Sequence, residues 1–333
     1  MIPRNKPRNQ TRTYFTNPLT LLDKLHLSTE QVNFSEQACD DFHFKVPQAY
    51  VDKIRIGDKD DPLLKQILPI IDETHAQVGF SDDPLDEANS LLQPGLLRKY
   101  HARALLLVTP SCAINCRYCF RRHYPYKDKG YLGEQLKKNL QLIAQDSSIN
   151  EIILSGGDPL SLSNSKLAEL FTLIEAIPHI KRLRIHTRFP IVEPTRINHN
   201  FLKLLSHVHL PLIMVLHINH AQELGSDNQA SIAKLHQQGI TLFNQSVLLK
   251  GVNDNVETLT ELSEQLIQHH IIPYYLHTLD KIRGSQHFSV PEKEIETIYQ
   301  ALRNKLPGYL LPRLVTEVPG ESSKVPFVLT LGK

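Results

Sequence analysis

From Tyr100 onward, short apolar runs alternate with stretches in which apolar residues recur every three or four positions. The runs are 105–108, 152–154, 183–186, 212–216, 240–243 and 271–276. Each is rich in Leu, Ile and Val and flanked by polar or turn-forming residues, so each reads as a strand. Between them, Leu136, Leu140 and Ile143 share one face of a helix, as do Leu167, Leu170 and Ile174, and Leu259, Leu262 and Leu266. Ile295, Ile298 and Leu302 do the same behind a helix-opening Pro291. Strand and helix alternating six times predict an α/β fold: a parallel sheet with right-handed crossovers, curled into a partial (β/α)6 barrel. In such a fold the chemistry sits at the C-terminal ends of the strands. Residues 1–85 lack this rhythm. Their polar and helix-like stretches, such as 61–76 around Leu63, Leu64, Ile67 and Ile70, predict a helical N-terminal lobe ahead of a barrel over 86–333. No repeat or low-complexity segment interrupts the pattern.

Composition narrows the partners. Against 37 Lys+Arg stand 35 Asp+Glu, a net charge of +2 over 333 residues, too little field to argue for nucleic acid or a membrane surface. A small molecule is the expected partner. The basic opening stretch is not followed by an apolar segment, so it does not read as a secretory signal. Apolar runs such as 104–108 are far too short to cross a bilayer, and a cytoplasmic protein is expected. Four cysteines are too few for a disulfide scaffold, and three of them crowd one loop.

That loop is Cys112-Ala-Ile-Asn-Cys116-Arg-Tyr-Cys119, just after the first strand. Three thiolates on one short loop can hold three corners of a cubane cluster and leave one iron open as a binding site. A structural zinc site would need a fourth ligand. Cys39 and His123 stand at no familiar spacing, and Cys39 reads as an ordinary buried thiol. A second cue is Ser155-Gly156-Gly157-Asp158 at the end of the strand 152–154, where glycines let backbone approach a ligand. Alone it could be a plain turn.

Together these residues resemble the radical S-adenosylmethionine superfamily. The resemblance implies a [4Fe–4S] cluster on Cys112, Cys116 and Cys119, with S-adenosylmethionine chelating the open iron and contacted by Ser155, Gly156, Gly157 and Asp158, and with Gln245 as a further cofactor-binding residue. Residues 94–103, 119–122, 244–254, 273–275 and 319–324 narrow the resemblance to the lysine 2,3-aminomutase family. That family adds pyridoxal 5′-phosphate, held by a lysine near the C-terminus, and the matching position is Lys324. Glu321, Ser322 and Ser323 stand where glycines are common in the family's motif. The cations matching the phosphate contacts are Lys99, where arginine is usual, and Arg103.

For the substrate, the resemblance implies that Arg121 clamps the α-carboxylate. Asp280 and Glu317, the latter replacing a commoner aspartate, would hold the side-chain ammonium of free L-lysine. A desolvated ammonium needs paired carboxylates, so two acids at these positions favour a cationic amino acid. The reaction implied is a radical shift of nitrogen from C2 to C3 that yields β-lysine, in the R form. An electron donor such as a flavodoxin or ferredoxin is implied too. The chain's shortness resembles the branch of the family whose product a separate ligase attaches to elongation factor P.

Overall fold

Seven strands run parallel through the centre of the molecule: β5 (Arg103–Leu107), β6 (Glu151–Ser155), β7 (Arg182–Thr187), β8 (Leu212–His217), β9 (Thr241–Val247), β10 (Ile272–His277) and β11 (Arg313–Thr316). The computed structural model describes residues 13–126 and 133–328. Antiparallel β3 (Leu91–Gln93) and β4 (Leu96–Leu97) extend one edge, and β12 (Val325–Pro326) extends the other. The strand order β12-β11-β10-β9-β8-β7-β6-β5-β4-β3 leaves the sheet open, a partial barrel of an α/β protein. The basic stretch 1–12 lies outside the described residues.

The crossovers carry α5 (Glu134–Gln145), α6 (Asn164–Glu175), α8 (His199–Leu205), α9 (Ser226–Gln237), α10 (Val256–Gln268) and α11 (Glu292–Lys305), with the single turn α7 (Phe189–Val192) after β7. On α5, α6, α10 and α11 the apolar stripes are the ones read from sequence, with Leu136, Leu140 and Ile143 on α5 and Leu167, Leu170 and Ile174 on α6 all buried, whereas α8 and α9 are not among the helices read from sequence. Ser163 opens α6 by accepting a hydrogen bond from the Lys166 amide at 3.3 Å, and Asn255 opens α10 by accepting one from the Thr258 amide at 2.9 Å, each satisfying an otherwise orphaned donor.

Three sequence expectations change in the structure. The sheet gains a seventh parallel strand, β11, which pairs with β10. The strand expected over 240–243 runs on to Val247. Asn244 and Ser246 look too polar for a core strand, yet both are buried on Ile218, which donates its N–H to Asn244 Oδ1 at 2.9 Å and accepts from Ser246 Oγ at 2.8 Å. The helix-like stretch 61–76 is two short turns, α4 (Pro62–Lys65) and a 3-10 turn (Ile71–Thr74). Pro69 divides them, because proline disfavours helix at the residue before it.

Ahead of β3 lie α1 (Pro18–Leu25), α2 (Glu36–Asp41), α3 (Gln48–Val51) and α4, with a two-stranded ribbon of β1 (Tyr14–Phe15) and β2 (Val46–Pro47). Leu21, Leu25, Leu63 and Ile67 from this segment share one continuous apolar cluster with Leu106, Leu154 and Ile185 of the barrel strands. No helix among the described residues is long and apolar enough to cross a membrane.

Candidate active site

Side chains alternate along a strand, and in four of the five strands β6 to β10 the set facing inward ends in a polar group. Ile153 and Ser155, Arg184 and His186, Val215 and His217, Gln245 and Val247, and Tyr275 and His277 come as pairs from β6 to β10 and line one cavity of about 670 Å³ at the strands' C-terminal ends. Every residue singled out from sequence lines the same cavity: Cys112, Cys116, Cys119, Ser155, Gly156, Gly157, Asp158, Gln245, Lys99, Arg103, Arg121, Asp280, Glu317 and Lys324.

The N-terminal segment fastens the cysteine loop. Asn115 N donates to Lys45 O at 2.9 Å, Arg117 N donates to Gln66 O at 2.9 Å, and Lys45 Nζ donates to Cys112 O at 2.8 Å. Arg117 is fully buried: its Nη2 donates to Glu73 Oε2 at 2.7 Å and to Ala38 O at 2.7 Å. Glu73 also accepts from Arg122 Nη2 at 2.8 Å, so one carboxylate anchors two guanidiniums behind the loop. Cys39 packs against the apolar cluster and is not part of the cavity wall.

Gly156 and Gly157 serve the loop rather than open space. A Cβ on Gly156 would stand 2.4 Å from Thr109 O, and one on Gly157 would stand 2.4 Å from Ser111 O. Gly157 N donates to Thr109 O at 2.7 Å and Asp158 N to Ser111 O at 2.8 Å, so the end of β6 and the start of the cysteine loop lie backbone against backbone. The Asp158 carboxylate in turn accepts from Arg188 N at 2.7 Å and Thr187 Oγ1 at 2.8 Å, binding the end of β7 to the same corner. Burial pushes the Asp158 carboxyl up to about 6.

The donor set suits an iron–sulfur cluster. All three cysteines are free thiols lining the cavity. Burial lifts the Cys112 thiol well above its ordinary range and the Cys119 thiol to about 11, with neighbouring thiolate charge adding to both. Metal binding is what drives such thiols to give up their protons. Arg188 Nη1 lies 2.7 Å from Cys116 Sγ and 3.0 Å from Tyr118 Oη, while its Nη2 donates to Glu223 Oε2 at 2.8 Å.

At the opposite side of the cavity, the turn between β11 and β12 brings Glu317 and Lys324 together. Thr316 pairs with Val325, and Gly320 takes the left-handed φ of +83° that the tight return needs. Lys324 Nζ is hydrogen-bonded to Glu317 Oε2 and lies 5.8 Å from the centre of the Tyr275 ring. Tyr100 Oη donates to Glu317 Oε1 at 2.6 Å. Burial alone would raise the Glu317 carboxyl, but the Lys324 charge and these hydrogen bonds hold it below the usual carboxylate range. Asp280, just past β10, is pushed up to about 7 by burial, against the pull of Lys324. Burial also keeps His217 neutral, its imidazolium pKa falling to about 3 beside Arg188, and depresses His186 and His277. Arg103 lies over the Tyr100 ring at 5.4 Å. Lys99 Nζ stands 3.7 Å from both Glu87 and Glu317.

The chain matches the radical SAM superfamily over residues 106–262. It is 46% identical to the L-lysine 2,3-aminomutase of Buchnera aphidicola subsp. Baizongia pistaciae, over 93% of this chain and 92% of that one. To the L-lysine 2,3-aminomutase of Escherichia coli it is 45% identical, over 95% and 92%. The chain belongs to the lysine 2,3-aminomutase family.

As a member it is a radical SAM isomerase, and a [4Fe–4S] cluster with S-adenosylmethionine comes with that chemistry. The more distant aminomutase of Clostridium subterminale, 32% identical over 97% of this chain and 77% of its own, is similar along nearly all of this chain too. Sequence reasoning passed over Glu87, Tyr100, Arg188 and the histidines that line the cavity. The histidines carried a legible signal, since each is the last or next-to-last residue of an apolar strand. Glu87 and Arg188 carried none, because their partners lie 34 and 72 residues away in sequence.

Proposed function

We propose that this aminomutase converts L-α-lysine to (R)-β-lysine with pyridoxal 5′-phosphate held covalently by Lys324. The observation that carries the reading is the meeting of Lys324, Glu317 and Asp280 in the same cavity as the three cysteines. When bound, the cluster with S-adenosylmethionine would supply a radical that abstracts hydrogen, and pyridoxal phosphate would supply a conjugated carbon that holds the amino nitrogen and takes up the unpaired electron as that nitrogen shifts from C2 to C3. The chain's own residues bind and orient. Cys112, Cys116 and Cys119 hold the cluster, and Ser155, Gly156, Gly157 and Gln245 flank S-adenosylmethionine, with Asp158 fixing the corner they form. Arg103 and Lys99 supply cations for a phosphate. Arg121 takes the substrate carboxylate, and Asp280 with Glu317 takes the ε-ammonium, whose charge in a poorly hydrated site needs carboxylate partners.

Within this reading a flavodoxin or ferredoxin gives the electron, the enzyme works in the cytoplasm, and a separate ligase passes the product to elongation factor P. These three points rest on the family resemblance. Borohydride reduction of the pyridoxal-loaded protein, followed by peptide mapping, tests the Lys324 assignment. The expected adduct sits on Lys324 and is absent from Lys324→Ala. An adduct on another lysine, or one retained by the variant, would move the cofactor elsewhere.

A further inference from the structure

Among the buried groups lining the cavity, Glu87 has no task from the reading above. It sits in a turn pinned by Asp83, whose Oδ1 accepts from Glu87 N at 2.9 Å and whose Oδ2 accepts from Ala88 N at 3.0 Å. Its side chain, 4% exposed, reaches across to Arg121. Oε2 accepts from Arg121 Nε at 2.7 Å and Oε1 accepts from Arg121 Nη2 at 2.7 Å. Glu87 thus grips the side edge of the guanidinium fork. Arg121 Nη1 donates to Ser155 Oγ at 3.0 Å and makes a longer contact of 3.5 Å to Gly156 O, so the Nη1–Nη2 end edge faces only that long contact and is the edge a second carboxylate can meet in bidentate fashion.

Two carboxylates on one guanidinium repel each other unless a further cation offsets the charge. Lys99 is that cation, 3.7 Å from Glu87 Oε1 and 3.7 Å from Glu317 Oε1. Arg121, Glu87, Lys99, Glu317 and Lys324 therefore form a chain of alternating charge across the cavity wall. Although burial works against it, Glu87 holds the Arg121 guanidinium charged and its pKa raised.

We propose that Glu87 is a positioning residue for the substrate carboxylate. By holding the side edge of Arg121 it aims the end edge at the α-carboxylate of an amino-acid substrate, and through Lys99 it ties this clamp to the Glu317–Lys324 end of the cavity. The inference rests on the reading of Arg121 as the carboxylate clamp. A merely structural ion pair would stabilise the fold without distinguishing substrates by their carboxylate.

The test compares L-lysine with L-lysinamide, which keeps both amines and replaces the carboxylate by a neutral amide. Dissociation constants by calorimetry and kcat/KM are measured on anaerobically reconstituted holoenzyme carrying Glu87→Gln, Glu87→Asp, Arg121→Gln or Glu87→Gln with Arg121→Gln. Glu87→Gln should lower the preference for lysine over lysinamide by at least about tenfold, chiefly through binding, and should lower it no further once Arg121 is Gln. Glu87→Asp should lose less, and it carries the same comparison if Glu87→Gln does not fold. An equal loss for both ligands, or a further loss in the double variant, would overturn the positioning role while leaving the Arg121 clamp in place. An unchanged preference in Arg121→Gln would remove the clamp itself, and the role of Glu87 with it.

Discussion

Asp280 shows what a single buried carboxyl can decide. Burial holds its pKa at about 7, above the ordinary aspartate value, so the group is largely neutral below that pH and charged above it. Only the charged form can pair with a substrate ammonium. The KM for L-lysine is expected to fall as pH rises from 6 to 8, while norleucine, which has no side-chain ammonium, shows no such trend. Asp280→Asn should flatten the lysine profile and remove about 2–4 kcal/mol from kcat/KM for lysine, because the ammonium is left underpaired. An equal loss for lysine and norleucine would make Asp280 a structural residue. The same shift has a sign for stability. A carboxyl raised in the folded state adds stability that is full below its unfolded pKa and is lost as pH rises through about 7. Asp280→Asn should therefore melt higher than the parent at pH 8, with the gap closing toward pH 4. The cysteines were readable from sequence because three thiols within one loop need no tertiary context. Glu87 and Arg188 were not, since an acid or a base acquires such a role only from partners brought beside it by the fold.

At the scale of elements, the cysteine loop is held between the glycine corner of β6 and the N-terminal segment. Glu73 is the hinge of that hold, its carboxylate serving both Arg117 and Arg122 in a site closed to water. Replacing it by Gln leaves two buried guanidiniums short of a counter-charge, a loss of about 3–5 kcal/mol. Urea unfolding should show that drop, and anaerobic reconstitution should yield less iron per chain. Unchanged stability and full iron content would mean that the loop stands without this anchor. Gly157→Ala should act at the other side of the loop, since its Cβ would stand 2.4 Å from the Ser111 carbonyl oxygen. Periodicity revealed the barrel helices because their buried faces repeat regularly. It missed β11, whose four residues follow Pro312, and it joined two turns across Pro69. Short elements specified by tertiary pairing carry too few positions to announce themselves.

For the whole molecule, the open parallel sheet gathers thiols from one loop, imidazoles from three strands, and a lysine–glutamate pair from the last hairpin around one cavity. The alternation of strand and helix foretold where that cavity would lie, at the strands' C-terminal ends. It could not foretell that the N-terminal segment would share the barrel's apolar cluster, because 61–76 has no strand rhythm and Leu63 and Ile67 meet the barrel residues of that cluster across long sequence separations. The radical amino shift proposed for this enzyme begins with hydrogen abstraction from C3 of lysine. Its most direct measurement is isotope transfer in the anaerobically reconstituted enzyme with S-adenosylmethionine, reductant and lysine deuterated at C3 or at C2. Deuterium should appear in 5′-deoxyadenosine from the C3-labelled substrate alone, together with β-lysine. Transfer from C2, or β-lysine formed with no label in 5′-deoxyadenosine, would contradict it.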